Sequence, residues 1–302
     1  MEASVQVNKI HFIRILFLLS ALLLICACSD SSIPEIVEPD PLDENISESP
    51  NDGAAGNQSD ETAAVSDKPE TLSLTRIGIY AGKGSWDINI LAAERFFDHY
   101  GVQYALFDEQ DAVDGSINKD FDLIWFPGGF AAEYKNLIPN HDYISLFVEQ
   151  GGIFVGSCAG AYYASAILRW LGTDHPYPLE LFKGKAVGPL AGEIGWGEIA
   201  TFSLEPGHPV NTEFDSVLDM YYFDGPYFEA YAPSSIQILA RYAINNEPAV
   251  IAGRYGTGKF LLFGPHPELG GYTPDSPDFN LDGGEGAQWP WLYPALLWIS
   301  NW

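Results

Sequence analysis

The sequence is short of cysteine, methionine and positive charge. Only 3 cysteines and 2 methionines occur in 302 residues, too few thiols to build a disulfide scaffold. Lys and Arg number 14 against 41 Asp and Glu, a formal charge of −27. With no local basic patch, such a chain repels a phosphate backbone, which excludes nucleic acid as a partner. The apolar run Ile15 to Ile25 is eleven residues, interrupted by Ser20. That is short of the roughly 20 apolar residues a membrane-spanning helix needs. Aromatic side chains are plentiful, with 8 Trp, 16 Tyr and 18 Phe, and hydrophobic residues make up 47%. That content excludes a disordered protein and supplies a core.

Charge and aromaticity are unevenly spread, and three segments separate. In residues 1–27, Lys9 and Arg14 lead into the apolar run, the layout of an export signal. Its end, Ile25-Cys26-Ala27-Cys28, resembles a bacterial lipobox, and the resemblance implies lipidation of Cys28. An ordinary cleaved signal and an uncleaved anchor share the same layout. Ser29 after the cysteine implies, by the same resemblance, a lipid-anchored position in the bacterial envelope, at the outer rather than the inner membrane. Residues 28–72 form an acidic tether: from 29 to 72 there is no Phe, Trp or Tyr, and 12 acidic residues face the single Lys68. Such a stretch cannot bury enough apolar surface to offset its ordering entropy. Residues 73–302 retain a charge of −17 and read as one acidic folded domain.

Within that domain short apolar runs alternate with amphipathic stretches. Leu74 to Ala81, Gln103 to Phe107, Asp122 to Phe126 and Ile153 to Val155 read as strands; Trp86 to Tyr100 and Asp142 to Gln150 read as helices, each closed by glycine. In the first helix Ile88, Leu91, Ala92 and Phe96 supply the apolar stripe. The pattern predicts a doubly wound, mainly parallel α/β sheet with its site at the strands' C-terminal ends. The segment from Trp170 to Pro233 is less regular and reads as added strands and loops. There Tyr221, Tyr222, Phe223 and Tyr227 either line a groove or belong to the core. Ile236 to Tyr242, Ala249 to Gly253 and Lys259 to Phe263 read as consecutive strands, and Trp289 to Trp302 as a terminal helix.

Two sharp turns fall at strand ends. Gly156-Ser157-Cys158-Ala159-Gly160-Ala161-Tyr162 follows a strand and precedes a helix-like run, Ala159 to Leu168, which places Cys158 on a nucleophile elbow. Small neighbours permit the bend, and the amides opening the helix favour a thiolate. A buried, inert cysteine is the alternative. A thiolate nucleophile needs a base, and the base an orienting acid. His266-Pro267-Glu268, after the strand Lys259 to Phe263 and the break at Gly264-Pro265, supplies both; a structural His-Pro turn is the alternative. His99 lies on a helix, and His141, His175 and His208 sit in apparent loops without a carboxylate at the same spacing.

These turns, with Pro127-Gly128-Gly129 upstream, resemble the class I glutamine amidotransferase-like superfamily. Trp125-Phe126-Pro127-Gly128-Gly129, the cysteine elbow and Phe223-Asp224-Gly225-Pro226 resemble more closely the biotin-protein ligase N-terminal domain family, over roughly residues 74 to 270. The resemblance implies a flavodoxin-like three-layer α/β/α fold. It implies Cys158 as nucleophile, His266 as base, Glu268 as its partner, and an oxyanion hole from Gly128, Gly129 and Ala159. Glutamine-hydrolysing members carry Gln four residues after the nucleophile, where this chain has Tyr162, and no biotin-ligase catalytic segment or synthetase domain is present. Neither amidotransfer nor biotinylation therefore transfers. The expectation is a cysteine-dependent hydrolase or acyl transferase acting on a small amide, ester or peptide, without a cofactor and touching the membrane only through its lipid; the rival is a non-catalytic binding domain on the same fold.

Two further motifs stand apart from these turns. Gly253 to Lys259 approaches a phosphate-binding loop, but Phe260 replaces the required Ser or Thr and a strand-like run follows, so it reads as a hairpin turn. Asp278, Asn280 and Asp282 with Gly283 match half of a calcium loop, but the twelfth position is Trp289. No metal is assigned, and an acidic solvated loop is the alternative.

Overall fold

Strands that are apolar at every position, rather than at alternate ones, are covered on both faces. The computed structural model describes residue 72, residues 76–270 and residues 287–302. The export signal, Cys28, all of the tether but Leu72, and the Asp278, Asn280 and Asp282 loop lie outside the described residues. The first half of the domain runs β1 (Ile77–Tyr80), α1 (Asp87–His99), β2 (Tyr104–Phe107), α2 (Asp111–Asp114), α3 (Ile117–Asp120), β3 (Leu123–Phe126), α4 (Ala131–Leu137), α5 (Asp142–Glu149), β4 (Ile153–Ser157) and α6 (Ala159–Ala164). It continues through β5 (Ser165–Trp170), β6 (Thr173–Pro176), β7 (Phe182–Gly188), β8 (Glu198–Leu204), β9 (Val217–Tyr222), β10 (Tyr227–Ala230), β11 (Ile236–Tyr242), β12 (Pro248–Tyr255), β13 (Gly258–Phe263) and α7 (Trp289–Asn301).

Nine strands form one sheet in the order β2-β1-β3-β4-β13-β12-β11-β8-β9. The first five are mutually parallel and the last four are added antiparallel, so that only β12 and β8 oppose the common direction. Side chains alternate across the sheet. Leu123 and Trp125 join Phe96 and Phe97 of α1 and Trp291, Leu292 and Leu296 of α7 on one face. Ile124 and Phe126 join Tyr134 of α4, Ile144 of α5 and Tyr163 of α6 on the other. The domain is therefore a flavodoxin-like three-layer α/β/α sandwich. A second sheet, β10-β7-β5-β6, packs Phe182, Ala186 and Phe228 into the latter core.

The helix expected to run from Ala159 to Leu168 stops at Ala164, and Ser165–Trp170 is a strand of the second sheet. Ser165 Oγ donates to the Ala161 carbonyl at 2.9 Å, closing the last turn, and β7 then pairs with the extended chain. A short apolar run fits either period, which is why pattern alone misassigns it. His175 lies in β6 rather than in a loop. The Gly253 to Lys259 motif is the β12–β13 hairpin, with Tyr255 opposite Gly258 and Gly256 at φ +60°.

Candidate active site

Register brings the two turns together. Phe263 at the end of β13 pairs with Ser157 at the end of β4, and the Cys158 N–H donates to the Phe263 carbonyl at 2.8 Å. Cys158 therefore begins one residue, and His266 three residues, beyond a paired position at the same sheet edge. Cys158 has φ +49°, a left-handed conformation that is rare for a residue with a side chain and characteristic of strained functional turns. Its neighbours are small by necessity. A methyl on Gly160 would overlap the Phe126 carbonyl, and one on Gly156 would overlap the backbone of Gly160.

His266 is held from several sides. Its N–H donates to the Tyr221 carbonyl at 3.0 Å, and its Nδ1 donates to Glu268 Oε1 at 2.8 Å. Both side chains are buried, at 0% and 1% exposure. The Trp289 indole donates to the Glu268 carbonyl at 2.9 Å, so the start of α7 anchors the carboxylate segment. Gly128 leaves room for the ring, since a methyl there would overlap His266 Cε1. Burial by itself lowers the His266 pKa; the Glu268 charge, followed by the nearby Cys158 sulfur, outweighs it and pushes it up to about 10.

The thiol is covered. Cys158 is 5% exposed and its Sγ donates to the Phe223 carbonyl at 3.4 Å. With the thiol hydrogen aimed there, His266 Nε2 has no hydrogen-bond partner among the described residues, although Cys158 lies near enough to raise its pKa. Phe223 also sets its ring edge-on to the imidazole at 5.4 Å. Trp196 at 4.9 Å and Trp86 at 6.1 Å pack on Phe223, and Phe130 at 6.0 Å packs on Trp86. Trp196 and Phe130 are 38% and 40% exposed, so the rings run from solvent to the histidine. Tyr221 and Tyr222, by contrast, are buried core, at 2% and 0% exposure.

The N–H groups of Gly129 and Ala159 donate no hydrogen bond among the described residues. Tyr162, four residues after Cys158, is buried and its hydroxyl donates to the Asp224 carbonyl at 2.8 Å. The remaining histidines stand apart: His141 bonds the Tyr163 hydroxyl, and the His208 ring packs against Trp298. Among the described residues no three His, Cys, Asp or Glu side chains are placed to hold a metal ion.

Pattern reading missed Asn89. The residue is fully buried on α1, and its Nδ2 lies 2.9 Å from His266 Nδ1 and 3.0 Å from Glu268 Oε1. The signal was available, because the buried face of α1 is Asn89, Ala92, Ala93, Phe96 and Phe97, whereas Leu91 is 38% exposed. Setting the stripe one residue early turned a polar residue on the apolar face into an apparent surface residue.

The family model for the N-terminal part of biotin-protein ligase matches residues 79–278. The chain belongs to the biotin-protein ligase N-terminal family. It is 27% identical over 173 residues to the biotin–protein ligase of Schizosaccharomyces pombe, across 49% of this chain and 25% of the ligase. It is 29% identical over 165 residues to an uncharacterized protein of Chlamydia muridarum, across 51% of this chain and 61% of that one. The chain thus spans only part of the length of these relatives. A crystal structure of a glutamine amidotransferase superposes with a TM-score of 0.51 at 16% identity, over 75% of this chain and 99% of that one, a likeness of fold.

Proposed function

We propose that this biotin-protein ligase N-terminal-type domain is a cysteine-dependent hydrolase or acyl transferase of small amides or esters, held in the bacterial envelope by a lipid on Cys28. The observation that carries the reading is the meeting at one sheet edge of a left-handed Cys158 with a buried His266 that Glu268 orients. In the proposed reaction Cys158 reacts as a thiolate whose proton His266 holds, and its sulfur attacks the carbonyl carbon to form a C–S bond as the carbonyl π pair moves to oxygen. The Gly129 and Ala159 amides, with Gly128 shaping the turn, stabilise the oxyanion. His266 then protonates the leaving amine or alcohol as the C–N or C–O bond breaks; water, giving its proton to His266, attacks the thioester, and the C–S bond breaks to release the acid and regenerate the sulfur. Tyr162, tied to Asp224, stands where glutamine-hydrolysing members carry Gln, so free glutamine is not the proposed substrate.

A second reading, ligand binding without turnover, is favoured by the cover over the thiol, since Phe223 must yield before an acyl group reaches Sγ. Incubation with p-nitrophenyl acetate separates the two. The hydrolase reading expects a burst of nitrophenolate and an acetyl group on Cys158, both lost in Cys158→Ser; an unmodified Cys158 supports the binding reading.

A further inference from the structure

We infer that Asn89 is a positioning residue of this site, fixing the Glu268 carboxylate against His266 and limiting how strongly the imidazole holds its proton. The inference rests on the Cys158-His266-Glu268 reading and deepens it.

Asn89 Nδ2, His266 Nδ1 and Glu268 Oε1 form a closed triangle with sides of 2.9, 3.0 and 2.8 Å. With Glu268 ionised, its Oε1 accepts from both nitrogens. Turning the amide over would set two oxygen acceptors 3.0 Å apart, so the nitrogen must face the carboxylate. His266 Nδ1 then carries its proton toward Glu268 and cannot also accept from Asn89. Two donors sharing one oxygen has a definite consequence. Asn89 draws off part of the negative charge that stabilises the imidazolium, and sets the positive end of its amide beside Nδ1. Both effects oppose protonation of His266. The groups that raise the His266 pKa are Glu268 on its own segment and Cys158 on the elbow; Asn89 is the neutral group facing it from α1.

A structural role alone leaves an observation unexplained. Among the described residues, Asn89 Oδ1, His266 Nε2 and Glu268 Oε2 are all buried without a hydrogen-bond partner. An asparagine retained only to satisfy its own polar atoms would not leave one oxygen unpaired in the core. Its placement is accounted for by what Nδ2 does to the two residues it touches.

The test uses the full chain in a Cys158→Ser background, which removes the thiol from the titration. Imidazole nitrogen shifts of His266 are followed against pH by NMR in the parent, in Asn89→Leu and in Asn89→Ala. Both substitutions remove the donor, while only Ala empties the space. The expected result is a His266 midpoint raised by about half a unit or more in both variants, whatever their difference in Tm. A midpoint unchanged or lowered in a folded variant overturns the inference and leaves Asn89 a packing residue. This readout needs no turnover, so an unreactive Cys158, which would sink the hydrolase reading, is seen separately from a failure of Asn89.

Discussion

Gly128 shows how little freedom the site has at the scale of one residue. The imidazole of His266 occupies the volume a side chain at position 128 would need. Gly128→Ala should therefore push the ring away from Glu268 and Cys158, slow acylation of Cys158 by about tenfold or more, and cost about 1–3 kcal/mol of stability as overpacking does. Denaturant titration beside acylation kinetics checks both. Phe223 makes the opposite case. Its ring lies on His266 and its carbonyl holds the thiol hydrogen. Phe223→Ala should open the approach, and native-state alkylation of Cys158 should become several-fold faster; an unchanged rate would show that the ring is no barrier. Cys158, His266 and Glu268 were legible in the sequence because each stands in a glycine- or proline-marked turn after an apolar run. Asn89 was not, because an asparagine inside a helix carries no mark until the buried face of that helix is known.

At the scale of elements, β4, β13 and α7 hold the site together. The Phe263 carbonyl that receives the Cys158 N–H belongs to a strand whose Phe263 ring lies 6.2 Å from the fully buried Trp291 of α7. Trp291 also donates from its indole to Asn211 Oδ1 at 2.9 Å. Trp291→Ala should cost about 3–5 kcal/mol, the range for a buried tryptophan, read as a fall in the urea midpoint. The parallel strands were readable from short apolar runs, and α1 from its helical apolar period. The strand Ser165–Trp170 was not, since Ala166, Ile167 and Leu168 suit a helix as well as a strand, and the choice is made by pairing with β7 far along the chain. Tyr221 and Tyr222, which the sequence leaves open between groove and core, are core for a related reason. Inward-facing rings on a sheet become core, and the rings exposed near the site, Trp196 and Phe130, come from loops whose meeting has no local sequence signal.

At the scale of the whole molecule, a domain poor in positive charge places a protonated histidine in its interior. The folded pKa of His266 is raised from 6.5 to about 10. The stabilisation linked to that proton is therefore complete below about pH 6.5 and is lost as the pH rises through about 10. Between those limits Tm should fall more steeply in the wild type than in His266→Gln, and parallel curves would contradict the charge assignment. The central claim is that Cys158 and His266 act as one unit, and the rate of Cys158 alkylation by iodoacetamide against pH, in the full chain with and without His266→Ala, tests it most directly. Alkylation of Cys158 is expected to be several-fold faster near neutral pH in the wild type than in His266→Ala, because the imidazole beside the sulfur assists it. Coincident profiles, or a thiol that does not react in the folded protein, would contradict it.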